Sequence, residues 1–242
     1  MKEPLVRARG LERVFPGGVG VHGVDLDLSP REVHALVGLN GAGKTTIMRL
    51  LLGMLQPDRG TVHIHGCPIV DADAATWRWI GHLIEHPLVY PELDTRTNLE
   101  LAARLHGVPR TTARSVAERA LHELNLGRYA DVPARVLSSG NRQRLGLAAV
   151  LAHGPDLIIL DEPTNALDPA GVILLREVLL RRAESGACVL VSSHHLDEVA
   201  RIAQHITVIN EGHIIGSLDP TGQDIERAFF ALIRADDQRR QV

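Results

Sequence analysis

The sequence predicts an α/β domain in which a mostly parallel sheet carries helices on both faces and a helical lobe is inserted between strands. Three observations predict it. Residues 156–218 alternate short apolar runs, "DLIIL", "ACVLVSS" and "ITVIN", with stretches of helical spacing, the rhythm of a parallel sheet with crossover helices. Residues 87–151 show a helical pattern alone. Ahead of them a loop with three glycines and a lysine, "VGLNGAGKTTIMRL" (37–50), connects an apolar run to a helical one.

The totals bound the possibilities. A chain of 242 residues can bury one sizeable core but not three independent domains. With 45% hydrophobic and 23% charged residues, its composition is that of a folded globular protein and not of a disordered one. A formal net charge of -3 and a pI near 6.5 give no field that would hold nucleic acid, which argues against non-specific DNA binding and leaves open only a local basic patch. Cys67 and Cys188 are far apart and in no CxxC spacing, which argues against a disulfide scaffold or a thiolate metal site; both read as buried small hydrophobes in a reducing compartment. The start "MKEPLVRARG" lacks an apolar signal stretch, and no run approaches the roughly 18 apolar residues of a membrane span. A cytosolic chain that reaches a membrane only through a partner is expected.

In chain order, residues 5–37 alternate apolar and polar positions in bursts, "LVRAR", "VHGVDLDL" and "EVHALVG", the period of strands; the last is nearly all apolar and is expected to be central. Residues 45–52 turn helical, ended by Gly53 and Pro57. "GTVHIHG" (60–66) reads as a hairpin strand and 76–83 as another. Within 87–151, Leu99, Leu101, Ala102 and Leu105 share one face, followed by Val116, Ala120, Leu121, Leu124 and Leu126, and then by 145–151. Strands are expected at 156–160, 187–193, 206–210 and 213–218, and helices at 170–182 and 196–203. The chain closes with an amphipathic helix over about 223–236, its apolar face ending at Ile233, and a frayed end.

Gly38, Gly43, Lys44 and Thr45 fit G-x-x-x-x-G-K-[ST] between a strand and a helix. The glycines let successive backbone N–H groups converge on one concavity, at which the following helix aims its positive end. That is a phosphate seat. Lys44 would reach the β and γ phosphates, and the Thr45 hydroxyl would complete a Mg²⁺ shell. Such a loop needs a carboxylate for the metal and a group that orients or deprotonates water. The end of the apolar strand in "LIILDEPTNALDP" supplies both: Asp161 for the metal and Glu162 for the water.

These pieces resemble the nucleotide-binding subunit of an ABC transporter. The matching elements are the Walker A loop "GLNGAGKTT", the signature "LSSGNRQRLGLA" from Leu137, the Walker B run "LIILDEPT", the D-loop "ALD" ending at Asp168, and "SSH" ending at His194. Their order covers the chain from Leu5 to about Ile233. The resemblance implies a P-loop NTPase core with an N-terminal antiparallel β subdomain and an inserted α-helical subdomain. It implies one domain over 1–242, with the core and β subdomain at about 3–86 and 152–222, the helical lobe at about 87–151 and a C-terminal helix at about 223–236.

The resemblance also implies function: an ATPase powering transport through a separate permease, as an ATP-driven homodimer, peripheral on the inner face of the plasma membrane. ATP would contact Asn40, Gly41, Ala42 and Thr46 of the loop as well, together with Asp168; Phe15 would stack on adenine; His194 would meet the γ-phosphate. Ser138 and Gly140 would reach the partner copy's ATP, with the dipole of their helix behind them. Glu85, in "IGHLIEHPLVYPELDTRTNLE", stands where most members carry glutamine. A carboxylate there can hold Mg²⁺ through water but cannot donate a hydrogen bond to it. That substitution resembles the bacterial exporters of bacitracin-like and lantibiotic peptides. Two further departures are Ser139 and Asn141 in the signature, where glycine and glutamine are common, and phenylalanine at residue 15, where tyrosine is usual.

Competing readings are weaker. "HLIEH" (82–86) fits the zinc motif H-x-x-E-H, but Pro87 follows at once and the preceding residues read as a strand, so both histidines cannot share a helix face. His63 and His65 share a strand face in this reading, but two ligands do not make a metal site. A soluble ABC-type ATPase acting on ribosomes or nucleic acid is the alternative function; it usually has two cores or a coiled-coil insertion, and this chain has no sustained heptads. A small-molecule P-loop kinase would carry an arginine-rich lid and no signature run.

Overall fold

The apolar bursts of the sequence become two sheets in the computed structural model, which describes residues 3–222 and 224–240. One contains β1 (Val6–Val14), β2 (Gly20–Leu28), β4 (Arg59–Ile64) and β5 (Cys67–Pro68), antiparallel in the order β2-β1-β4-β5. The other contains β3 (Glu32–Val37), β6 (Ile80–Leu83), β7 (Leu157–Leu160), β8 (Cys188–Ser193), β9 (His205–Asn210) and β10 (His213–Leu218) in the order β10-β9-β3-β8-β7-β6. It is parallel from β9 to β6, and β10 is antiparallel at its edge. The helices are α1 (Lys44–Leu51), α2 (Ala74–Trp77), α3 (Thr95–Leu105), α4 (Arg110–Glu123), α5 (Ser139–Leu151), α6 (Pro169–Glu184), α7 (Leu196–Ala200) and α8 (Ile225–Arg240).

The central strands read as unbroken apolar runs because both of their faces are covered. Val33, Ala35, Val37, Ile158, Leu160, Val189 and Val191 point into a core shared with α3 to α8. Their alternates, Leu36, Leu157, Ile159, Cys188 and Leu190, meet Ile47, Met48, Leu50 and Leu51 of α1 and the inner face of the antiparallel sheet. Local chemistry sets the helix starts. Asp94 caps α3 by accepting the Thr97 N–H at 2.6 Å, Ser138 caps α5, and Asp168 caps α6 ahead of Pro169.

The structure departs from the sequence reading in four places. Residues 76–83 are not one strand: Asp73 caps the short helix α2, and only Ile80–Leu83 pair with β7. The closing helix runs to Arg240 instead of fading near 236, because Asp236 is buried and accepts a 2.9 Å bond from Asn210 Nδ2, tying the last turns to β9. Its expected first residue, residue 223, lies outside the described residues, as do residues 241 and 242 of the expected frayed end. His65 occupies a turn with φ +51°, off the strand that holds His63, so the two share no strand face. Cys67 is exposed, and only Cys188 is buried, its thiol pushed up to about 12 by that burial.

His34 on β3 makes stability depend on pH. Its Nε2 lies 2.8 Å from Thr207 Oγ1, and burial, followed by the neighbouring His205, pushes it down to about 4. A histidine kept neutral by the fold and free to charge near 6.5 when unfolded stabilises fully above the higher value, and that contribution is lost as pH falls through 6.5 toward 4. Urea midpoints should therefore drop over that window, and His34→Gln should flatten the drop.

Candidate functional site

Parallel pairing brings the expected residues to one edge. Val37 of β3 stands opposite Ser193 of β8, and Leu160 of β7 opposite Val191 of β8 and Leu83 of β6. The chain segments that carry Gly38–Thr45, Asp161 and Glu162, His194, and Glu85 therefore all leave from the carboxyl end of this sheet, where open α/β sheets bind ligands.

The loop after β3 takes the shape of a cradle. A Cβ on Gly38 would lie 2.4 Å from the Ile209 carbonyl oxygen, so no larger residue fits there. Gly43, at φ +107°, is the N-cap of α1 and brings no side chain to its own helix end, so the first-turn N–H groups remain to meet an anion. Asn40 and Gly41 are exposed at the rim, Ala42 is buried, and Thr46 lies in the first turn of α1. Lys44 is almost fully buried; its Nζ donates to Gly38 O at 2.8 Å and Leu39 O at 3.3 Å, spanning the cradle from below.

A hydrogen-bonded chain links the loop to the neighbouring strands. Thr45 Oγ1 donates to Asp161 Oδ2 at 2.7 Å, and Ser192 Oγ donates to Asp161 Oδ1 at 2.5 Å. The same Ser192 oxygen accepts the Glu162 N–H at 2.8 Å. Glu162 has φ +46°, an uncommon conformation for a non-glycine residue, which the Ser192 bond secures. Its carboxylate lies between two nitrogen-bearing side chains: Lys44 Nζ is 3.5 Å from Oε1, and His194 Nδ1 is 2.8 Å from Oε2. The His195 ring packs on that of His194 at 3.9 Å. A hydroxyl and a carboxylate side by side are the hard oxygen donors that Mg²⁺ takes, so Thr45 and Asp161 fit such an ion.

The remaining expected residues have other partners within this chain. Glu85, at φ +64°, pairs with Arg49 Nη2 at 2.6 Å. Ser138 is exposed and accepts the Asn141 N–H at 3.3 Å, and a Cβ on Gly140 would lie 2.8 Å from Ala166 O. Asp168 accepts from Gly171 N at 2.9 Å and from Arg144 Nη2 at 2.5 Å, contacts that hold its carboxyl below the usual range. Phe15 follows β1 directly and lies beneath the Arg13 guanidinium, whose carbon is 5.4 Å from the ring centroid. In the excluded zinc motif, His82 lies on β6 and His86 beyond it, on no common helix. Sequence reasoning missed Ser192, Arg49 and Gln143, whose Nε2 donates to Pro163 O at 3.0 Å. For Ser192 a signal existed: a hydroxyl inside the apolar run "ACVLVSS" needs a buried partner.

A glycine cradle at a helix start, a hydroxyl–carboxylate pair and a glutamate held by histidine together define a P-loop ATPase. The ABC transporter family profile matches residues 21–165, and the chain belongs to that family. The lantibiotic transport ATP-binding protein SrtF of Streptococcus pyogenes is 34% identical over 97% of this chain and 100% of its own length. The bacitracin transport ATP-binding protein BcrA of Enterococcus faecalis is 34% identical over 88% of this chain and 68% of its own. Among solved structures, an ATP binding subunit of an ABC transporter superposes with a TM-score of 0.83 at 27% identity, covering 94% of each chain. The chain is accordingly an ATP-binding, ATP-hydrolysing subunit of an ABC transporter, with the α/β fold of such ATPases.

Replacing Ser192 by alanine leaves the Glu162 N–H and one Asp161 oxygen without their partner. Unfolding stability should fall by about 1–3 kcal/mol, and kcat for ATP by roughly tenfold or more, with urea titration and steady-state ATPase rates as the measurements.

Proposed function

We propose that this subunit drives export of a drug or antimicrobial peptide through a separate membrane permease, two copies closing on two ATP molecules and reopening after hydrolysis. One observation carries the coupling: a groove of about 680 Å³ between β6 with its following loop on one side and α3 and α5 on the other. Leu88 and Leu105, 87% and 70% exposed, present apolar surface to it, and Arg49 and Glu85 line it from the nucleotide side. An apolar groove of this size with a charged wall suits an amphipathic helix of a partner. The names of SrtF and BcrA, both transport ATP-binding proteins, favour an antimicrobial peptide as cargo.

The chain's residues divide the work as follows. N–H groups of Gly38, Asn40, Gly41, Ala42, Gly43 and Thr46 cradle the phosphates, and Lys44 exchanges its carbonyl partners for the β and γ phosphates. Thr45 and Asp161 would hold Mg²⁺, and Glu85, once released by Arg49, would be a further oxygen donor to it through water. Bound there, Mg²⁺ would supply positive charge to offset that of the transferring phosphoryl group. Glu162 accepts a proton from the attacking water, and His194 holds that carboxylate and contacts the γ-phosphate. Phe15 stacks on the adenine. Ser138, Gly140 and Asp168 lie on the surface that faces the partner copy. In this reading residues 1–242 form one domain, and the helical part at 87–151 turns against the rest to move the groove. No described helix is long and apolar enough to cross a membrane; attachment to the inner face of the plasma membrane comes through the permease.

Glu162→Gln should still bind MgATP and dimerise while kcat falls by about 10²-fold or more, read by equilibrium binding, light scattering and phosphate release. Lys44→Ala should weaken ATP binding itself; unchanged affinity would remove the cradle from the mechanism. From detergent-solubilised membranes the wild-type chain should recover a multi-spanning protein, and the double variant Leu88→Asp with Leu105→Asp should lose it at unchanged ATPase rate. Recovery of ribosomes or DNA instead would establish the alternative function.

A further inference from the structure

Phe15 does not stand alone at the end of β1. Its N–H donates to Val19 O at 2.8 Å and its carbonyl accepts from Gly18 N at 3.0 Å, which fixes the backbone of the tip. The Arg13 guanidinium carbon lies over the ring, 5.4 Å from the centroid. Asp58, just before β4, fixes the arginine: Arg13 Nη1 donates to Asp58 Oδ1 at 2.8 Å, and the second oxygen accepts the Val14 N–H at 2.8 Å. The Val14 bond, with Arg13 in support, holds the Asp58 carboxyl below its usual range, so the clasp keeps its charge. Arg13 Nε is buried without a hydrogen-bond partner among the described residues, so Asp58 holds the guanidinium through Nη1 while its carbon lies over the ring.

We propose that Arg13, clasped by Asp58, is a positioning residue for the nucleotide base: it backs one face of Phe15 and leaves the other as the stacking face for a purine. This rests on the reading of Phe15 as the stacking residue. A cation on one face draws ring electron density toward itself, which lessens repulsion between the opposite face and the π cloud of a base. The clasp also restrains the ring before the base arrives, so less conformational freedom is lost on binding. Arg13 therefore acts on the base alone, not on the phosphates.

The test compares ATP with inorganic tripolyphosphate, which carries the phosphates and no base, by calorimetric titration without magnesium. Arg13→Gln should weaken ATP about fivefold and leave tripolyphosphate unchanged, Asp58→Asn should act in the same direction, and Arg13→Lys should restore most of the loss. Equal weakening of both ligands by Arg13→Gln would show a charge effect on the phosphates and overturn the proposal. Unchanged ATP affinity in Arg13→Gln, with Phe15→Ala weakened, would overturn it while base stacking stands. Unchanged ATP affinity in Phe15→Ala would remove the stacking reading and the proposal together.

Discussion

A carboxylate taken out of water must have both oxygens satisfied, and Asp161 meets that demand by joining four segments of the chain. Thr45 of α1 and Ser192 of β8 donate to its two oxygens, and its own N–H donates to Leu83 O at the end of β6. The cradle, the Glu162 backbone and the loop carrying Glu85 are thus referenced to one buried group. A carboxylate held from three sides cannot drift, which is what in-line phosphoryl transfer asks of its scaffold.

The two sides of this group have different mechanical character. On one side lies the sheet, buried on both faces and close-packed, which makes the carboxyl edge a rigid platform. On the other lies the seam with the helical region, where α5 approaches the loop after β6 so closely that a Cβ on Gly146 would stand 2.4 Å from Pro87 Cβ. The same helix starts at Ser138 and Gly140. A rigid rod that lines the groove with Gly146, Ala149 and Val150 and begins beside the exposed Ser138 is suited to carry motion between the two. Arg49 completes the connection, since it sits in the last turn of the helix that begins with Lys44 and pairs with Glu85 at the groove.

The Phe15 end of the molecule follows a separate logic. Phe15 follows directly on β1 of the antiparallel sheet, and its surroundings are set by Arg13 of β1 and by Asp58 just before β4. The glycine-loop end is built from buried backbone and bonded carboxylates, and the Phe15 end from a half-exposed ring braced by a surface ion pair. Positions in the first group admit little change, and those in the second can be tuned without disturbing the fold.

Local rules were enough for much of this molecule. Lys44 and Thr45 were legible because a glycine loop between a strand and a helix has one physical use, and Asp161 and Glu162 because four apolar residues aim them at that loop. The central strands were legible because burial on both faces leaves no polar period to confuse them. The extent of α8 was not, since what sustains it is the bond between Asp236 and Asn210, 26 positions earlier in the chain. Ser192 as the bridge between Asp161 and Glu162, Arg49 as the partner of Glu85, and Arg13 with Asp58 behind Phe15 were likewise decided only by tertiary structure. Composition and spacing determine which groups a segment can offer, whereas a hydrogen bond or ion pair between distant segments exists only once the sheet has set their register.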